Sequence, residues 1–201
     1  MRCMAPRIAA IAFLAASVQA HSAPAPGAEI TVHVARAGDT FTVEADWTVA
    51  ASADAVWDVL TDFDRMALIV SSVDASRIIN RDGNRFEVEQ KSHGDVGFVR
   101  ISRNSLRQVE LFPKREIRSR LLKGDLKSSD FTTRIAEEAG GAKVSVRGTF
   151  IATALGGAVI TVEAVEQQAQ RSAQELREEI LRRKAHEPPP PCLLTKTCPQ
   201  R

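Results

Sequence analysis

The feature of this sequence that most limits its fold is a change in the spacing of its apolar residues. Between residues 29 and 152 most segments alternate apolar and polar residues, as strands with one buried face do. After Gly156 and Gly157 the apolar residues recur every three or four positions, which is the period of an amphipathic helix. We therefore predict an antiparallel sheet followed by a long helix that ends near Arg183.

The segment TFTVEADWTVA shows the alternation most clearly. Phe41, Val43 and Trp47 share one face of the predicted strand, whereas Glu44 and Asp46 share the other. Similar alternation occurs in EITVHVAR, ASRIIN, RFEVEQKSH, VGFVRIS, LRQVELF, REIRSRLL, DFTTRIA and AKVSVRGTFIA. Turn-forming pairs such as Asp-Gly and Gly-Gly separate many of these segments, including Gly94-Asp95. Regularly spaced short strands of this kind predict one curved antiparallel sheet.

A helical segment interrupts the strands at residues 51–73. Ser52 is a good N-cap residue, and Val56 and Leu60 follow it on one helical stripe. Thr61 and Asp62 weaken that helix, and Asp64 can start a second short one. The segment therefore predicts two short helices with apolar surface on the same side.

The N-terminus has the features of a signal peptide over residues 1–20. Two arginines precede the apolar run IAAIAFLAA, and Val18 and Ala20 provide small residues for cleavage. Cleavage after Ala23 or Ala25, or retention as a membrane anchor, stays open. Export predicts a periplasmic or secreted protein with a flexible leader over residues 21–28 and a folded domain over residues 29–185.

The C-terminal segment over residues 186–201 is a proline-rich tail that carries two cysteines. In an exported protein, Cys192 and Cys198 are expected to form a disulfide that closes a small loop. A metal site would need more soft ligands, and His186 is the only nearby candidate. We expect the tail to stand off the domain, because consecutive prolines favour an extended spacer.

Charge and composition narrow the classes of function. The formal net charge of +2 gives no reason to expect a nucleic-acid partner. The chain has no tyrosine, and no nucleophile-base spacing, paired carboxylates or phosphate-binding loop is present. His93 is predicted on the wet face of its strand, so a binding protein is favoured over an enzyme. No cofactor is expected.

A basic outer face of the sheet is the remaining charge feature, and it could contact anionic lipids transiently. Interspersed glutamates make an ordinary solvated face the simpler interpretation. The cations assigned to this face are Arg100, Arg103, Arg107, Arg115, Arg118, Arg120, Lys123 and Lys127.

Three segments carry a resemblance to a known family. ASADAVWDVLTDFDRM, INRDGNRFEVEQ and LKGDLKSSDF resemble the START-like (SRPBCC, Bet v 1-like) superfamily, in its polyketide cyclase/dehydrase branch that includes coenzyme Q-binding proteins. The resemblance implies an α+β helix-grip fold, in which a curved sheet and its long helix enclose a hydrophobic ligand, lipid or quinone-like. Members of this branch often have proline where this chain has Ala67, so the loop at the cavity entrance departs from the pattern.

Extending the strand phase inward gives a candidate cavity lining. Small residues on the long helix are compatible with a gap beneath it or with a close helix-sheet contact. Two alternatives stay open: a polyketide cyclase or dehydratase, and a solid-core module for membrane or protein contact. The candidate lining is Trp47, Phe86, Val88, Gln90, Val99, Ile101, Ile117, Leu121, Phe131, Thr133, Val146, Phe150, Val165, Ala169 and Ala173, with Ser119 and Ser129 on the same face.

Overall fold

The structure is a computed structural model that describes residues 30–96, 99–153, 157 and 159–186. Of Val96 and Val99 it describes the backbone alone. The predicted signal peptide and leader, and the predicted Cys192–Cys198 disulfide, lie outside the described residues and stay predictions.

Eight antiparallel strands form one curved sheet in the described part of the chain, where it is accompanied by short helices after the second strand and a long C-terminal helix. The strands are β1 (Ile30–Ala37), β2 (Thr40–Val49), β3 (Val73–Asp82), β4 (Arg85–Val96), β5 (Val99–Phe112), β6 (Glu116–Gly124), β7 (Ser128–Glu138) and β8 (Gly141–Ile151). The helices are α1 (Ala53–Leu60), α2 (Met66–Ile69) and α3 (Val162–His186). The spatial order is β1-β2-β8-β7-β6-β5-β4-β3. The predicted α+β helix-grip fold is confirmed.

The start of α1 follows the predicted capping chemistry. The Ser52 hydroxyl accepts a hydrogen bond from the Ala55 N–H at 3.2 Å, which satisfies one of the free donors of the first turn. Asp64 instead accepts a hydrogen bond from the Ile78 N–H at 2.8 Å, and it lies in a 3-10 turn at Phe63–Arg65. The expected capping role of Asp64 is therefore wrong: its carboxylate connects the helical segment to β3.

The β4-β5 hairpin is longer than the sequence predicted. VGFVRIS and LRQVELF were expected to be two strands, but Val99 and the residues after it in the first segment continue without a break into the second as the single strand β5. Gly94, expected in a turn, pairs with Ile101, and Asp95 pairs with Arg100. The backbone at Gly94 does not adopt a positive φ, and the two strands continue to pair beyond it.

The helix α3 packs against β1, β2 and α1. Its C-terminal half contributes Ile180, which is 0% exposed, to a cluster with Val56, Phe63, Val88 and Ile117. We call this cluster the packed end of the domain. No helix in the described part of the chain is long and apolar enough to span a membrane.

Candidate functional site

A cavity of about 510 Å³ lies between the concave face of the sheet and the N-terminal half of α3. Its size is within the range of roughly 300–1,000 Å³ that is typical of small-molecule sites. Much of its wall is apolar, which suits a hydrophobic ligand. The apolar wall includes Trp47, Ile101, Leu121, Phe131, Val144, Val146 and Phe150 from the sheet, Leu60 from α1, Ile160 from the segment before α3, and Val165, Ala169, Ala173 and Leu176 from α3.

Most of the predicted lining residues meet in this cavity. Those in strands share the concave face of the sheet because side chains two positions apart point to the same face of a strand. Their role in binding a ligand stays a prediction. The predicted residues that line the cavity are Trp47, Gln90, Ile101, Leu121, Phe131, Thr133, Val146, Phe150, Val165, Ala169 and Ala173.

Three predicted lining residues point inward without reaching the cavity. Phe86, Val88 and Ile117 pack into the core cluster of the packed end. The ring of Phe86 lies 6.3 Å from the ring of Phe63, which belongs to the turn after α1. The helical segment therefore fills this end of the curved sheet. The side chain of Val99, the remaining candidate, is outside the described part of the chain.

The residues that α3 presents to the cavity include three small ones, Ala169, Ser172 and Ala173. Val165 and Leu176 line the cavity on either side of them, and Ile180 on the following turn belongs to the packed end. The Gln168 side chain donates to the Ser172 hydroxyl at 3.1 Å, so these polar groups bond along the helix. The open space follows from this run of short side chains opposite the sheet.

Arg103 and Arg107 line the cavity, so their assignment to the outer face was wrong. Both lie in β5 on the same phase as Ile101 and Val109, which face the interior. Burial lowers the pKa of both guanidinium groups, because removal from water disfavours the charged form. Strand parity, continued along β5 beyond Ile101, would have identified them.

Arg107 is held by neutral partners. Its Nε donates to the Ser119 hydroxyl at 2.6 Å, and its Nη1 donates to the Ser129 hydroxyl at 3.2 Å. Its Nη2 donates to the backbone carbonyls of the same two serines. These bonds satisfy most of the guanidinium donors but do not neutralise its charge. The cavity wall therefore contains a fixed positive group.

His93 differs from its predicted position on a wet strand face. It is 8% exposed, and its Nδ1 lies 2.9 Å from Asp74 Oδ1, because β3 extends beside this part of β4. It does not line the cavity. Among the residues that the structure describes, no group of three or more His, Cys, Asp or Glu side chains could hold a metal ion.

The outer face carries several cations with carboxylate partners. Arg118 and Arg134 both bind Glu116, at 2.6 and 2.7 Å, and Lys127 binds Asp39 at 3.0 Å. The hydrogen bonds from these arginines hold the pKa of Glu116 below its usual value, although burial opposes them. This pairing favours a solvated sheet face over a basic patch for membranes.

Comparisons with known proteins agree with this architecture. A family described as polyketide cyclase / dehydrase and lipid transport matches residues 40–180. No curated protein gives a significant match.

Solved structures with a similar fold include a Zhui aromatase/cyclase from Streptomyces sp. R1128, with 22% identity, a TM-score of 0.61, and coverage of 72% of this chain and 96% of that one. A STAR-related lipid transfer protein from Xanthomonas axonopodis has 14% identity and a TM-score of 0.62, over 80% of this chain and 97% of its own. A START superfamily protein from Mycobacterium smegmatis has 15% identity and a TM-score of 0.52, over 72% and 97%. At these identities the likeness concerns the fold.

Proposed function

The chain belongs to the polyketide cyclase / dehydrase and lipid transport family, and from that premise we propose that it binds a hydrophobic small molecule as a carrier or sequestering protein. The observation that supports this function is the cavity of about 510 Å³ beneath α3. An apolar wall with a few polar groups is the usual composition of a small-molecule site. A lipid or a quinone-like molecule has the matching chemistry.

Export is the second part of the proposal. It rests on the signal-peptide pattern of residues 1–20, and it would place the carrier in the periplasm or outside the cell. N-terminal sequencing of the protein from its own host should give a first residue at or near His21. Recovery of an intact Met1 would contradict export with cleavage.

Filling the cavity from α3 tests the binding function. Ala169→Trp should abolish binding of the neutral fluorescent probe Nile red and leave the protein folded, because the indole would occupy open space. Fluorescence titration measures the binding, and circular dichroism melts measure the stability. Gln170→Trp is the matched control, since it adds the same side chain at an exposed position of the same helix.

Two results would contradict the proposal. In a solid core, Ala169→Trp would overpack the interior and cost about 1–3 kcal/mol of stability. If the wild-type chain also bound no probe, a solid-core interaction module would be the better interpretation.

A polyketide cyclase or dehydratase is the second candidate, and the two half-buried arginines of the cavity wall favour it. Preorganised donors such as Arg107 can stabilise negative charge that develops on an enolate oxygen. General acid-base chemistry would also need a proton carrier, and the cavity lining in the described residues contains no histidine. Loss of water from an added poly-β-keto thioester, measured by mass spectrometry and abolished by Arg107→Met, would favour the enzyme over the carrier.

A further inference from the structure

We infer that the ligand of this cavity carries an anionic group, a carboxylate or a phosphate, that is bound by Arg103. This inference rests on the proposed function, because it specifies the ligand of the same cavity. It is independent of the hydrophobic wall, which would accept neutral and acidic molecules alike.

The guanidinium of Arg103 occupies a space that the sheet leaves for it. Arg103 lies in β5 opposite Ser92 of β4, and both residues line the cavity. A Cβ atom at Gly94 would lie 3.2 Å from Nη2 of Arg103. The absence of a side chain at Gly94 therefore gives the guanidinium its room against β4.

Arg103 has no hydrogen-bond or ion-pair partner among the residues that the structure describes, unlike Arg107 on the same strand. Two carboxylates lie at the same cavity, but each has another partner. Asp95 lies 3.6 Å from the Nε of Arg100. Asp125 accepts a hydrogen bond from the Asn104 N–H at 2.7 Å. The carboxylates of the cavity thus leave Arg103 without a counter-charge.

A half-buried guanidinium without a partner is costly, because it loses hydration and gains no compensating bond. The lowered pKa of Arg103 has the same cause. A carboxylate or phosphate can accept two parallel hydrogen bonds from the fork of the guanidinium, and it would supply the missing charge. Arg107 adds a second positive charge to the same wall; burial lowers its pKa, and the charge of the Asp130 carboxylate opposes that effect.

The rest of the cavity determines what the anionic group is attached to. Phe131, Val165 and Ala169 line the same space, so the body of the ligand is apolar. The geometry therefore fits an amphiphile with one acidic end, such as a fatty acid, an acidic polyketide or an alkyl phosphate.

Three ligands of equal chain length test the inference on the full chain. Dodecanoate, dodecyl phosphate and dodecanol displace Nile red in titrations at pH 8, where both acids are ionised and all concentrations stay below micelle formation. We expect at least one of the acids to bind about tenfold to one-hundredfold more tightly than dodecanol, as charged hydrogen bonds do. The acid that binds more tightly indicates whether the ligand carries a carboxylate or a phosphate.

Two substitutions test whether the preference for the acids over dodecanol depends on Arg103. Arg103→Met should remove most of the preference for the acid and leave the affinity for dodecanol unchanged. Arg115→Met is the control, because it removes the same charge from an exposed position that does not line the cavity, and it should keep the preference.

Equal affinity of the wild-type chain for the acids and for dodecanol would overturn the inference and leave the proposed function intact. A preference that survives in Arg103→Met would overturn the role of Arg103. Failure of Nile red and all three ligands to bind the wild-type chain would instead overturn the proposed function.

Discussion

The packed end and the cavity lie under the same sheet and the same helix, yet one is solid and the other is open. At the packed end Val88 is 1% exposed and Ile117 is 7% exposed. At the cavity Ile101 and Val146 occupy equivalent inward positions on their strands but stay half-buried. Inward orientation is therefore necessary for a cavity lining but does not produce a cavity.

The difference between the two ends arises from what covers each. Phe63 from the turn after α1 and Ile180 from α3 fill the packed end. The first half of α3 contributes Ala169 and Ala173 to the cavity wall instead, and β5 contributes Arg103 to the same wall. Alanine side chains fill little volume, and a guanidinium resists apolar cover because its desolvation is unfavourable. Open space remains between them.

Matched isoleucine truncations should give the largest contrast between the two ends. Ile117→Ala should lower the free energy of unfolding by about 2–5 kcal/mol, because it removes buried methyl groups and leaves a cavity in a filled core. Ile101→Ala should cost about 1 kcal/mol or less, since its side chain already faces open space. Urea denaturation measures both. Equal losses would mean that the cavity wall is packed as tightly as the other end.

Substitution of Arg103 should stabilise the protein, in contrast to the isoleucine truncations. Arg103→Met should raise the free energy of unfolding of the ligand-free protein by about 1–2 kcal/mol, because it replaces a desolvated charge by an apolar side chain and leaves no acceptor unpaired. Arg100→Met, at an exposed position, should change stability by less than about 0.5 kcal/mol. Thermal and urea unfolding provide the measurement. A destabilised Arg103→Met variant would indicate a structural role for this guanidinium.

The smallest expected change in stability concerns the ion pairs that join α3 to the segment after α1 at the packed end. Arg183 donates hydrogen bonds of 2.7 Å to Glu179 and to Asp62. It therefore joins α3 to the segment that follows α1. Hydrogen bonds from Arg182 and Arg183 lower the pKa of Glu179 to about 2, against an opposing effect of burial. Since the folded pKa lies below the usual 4.5, the stabilisation is complete above pH 4.5 and is lost as the pH falls towards 2.

Comparison with Glu179→Gln measures this contribution. A shift of this size corresponds to roughly 3 kcal/mol, but Arg182 is 60% exposed and solvent screens the pair, so we expect about 1 kcal/mol at neutral pH. The difference in unfolding free energy between wild type and variant should vanish near pH 2. A difference that does not depend on pH would contradict the assignment to the carboxylate.

The sequence predicted the side of the sheet to which most strand residues point, but not whether other side chains pack over them. Phe86 and Ile101 both point inward, but Phe86 packs against Phe63 whereas Ile101 lines the cavity. Arg103 and Arg107 could have been placed inside by parity alone. They were assigned to the outer face because arginine is rarely buried, which made a basic outer face the simpler expectation.

The sequence by itself determined the local periods and hence the fold. Alternation specified the strands, the three- and four-residue spacing specified α3, and Ser52 specified the start of α1. The tertiary structure decided where the interior is filled and where it is open, since that depends on which side chains meet across distant segments. Ala169 and Arg103 line the same open space, whereas Ile180 and Ile117 belong to one filled cluster, because packing depends on the combined volume and charge of the residues that meet.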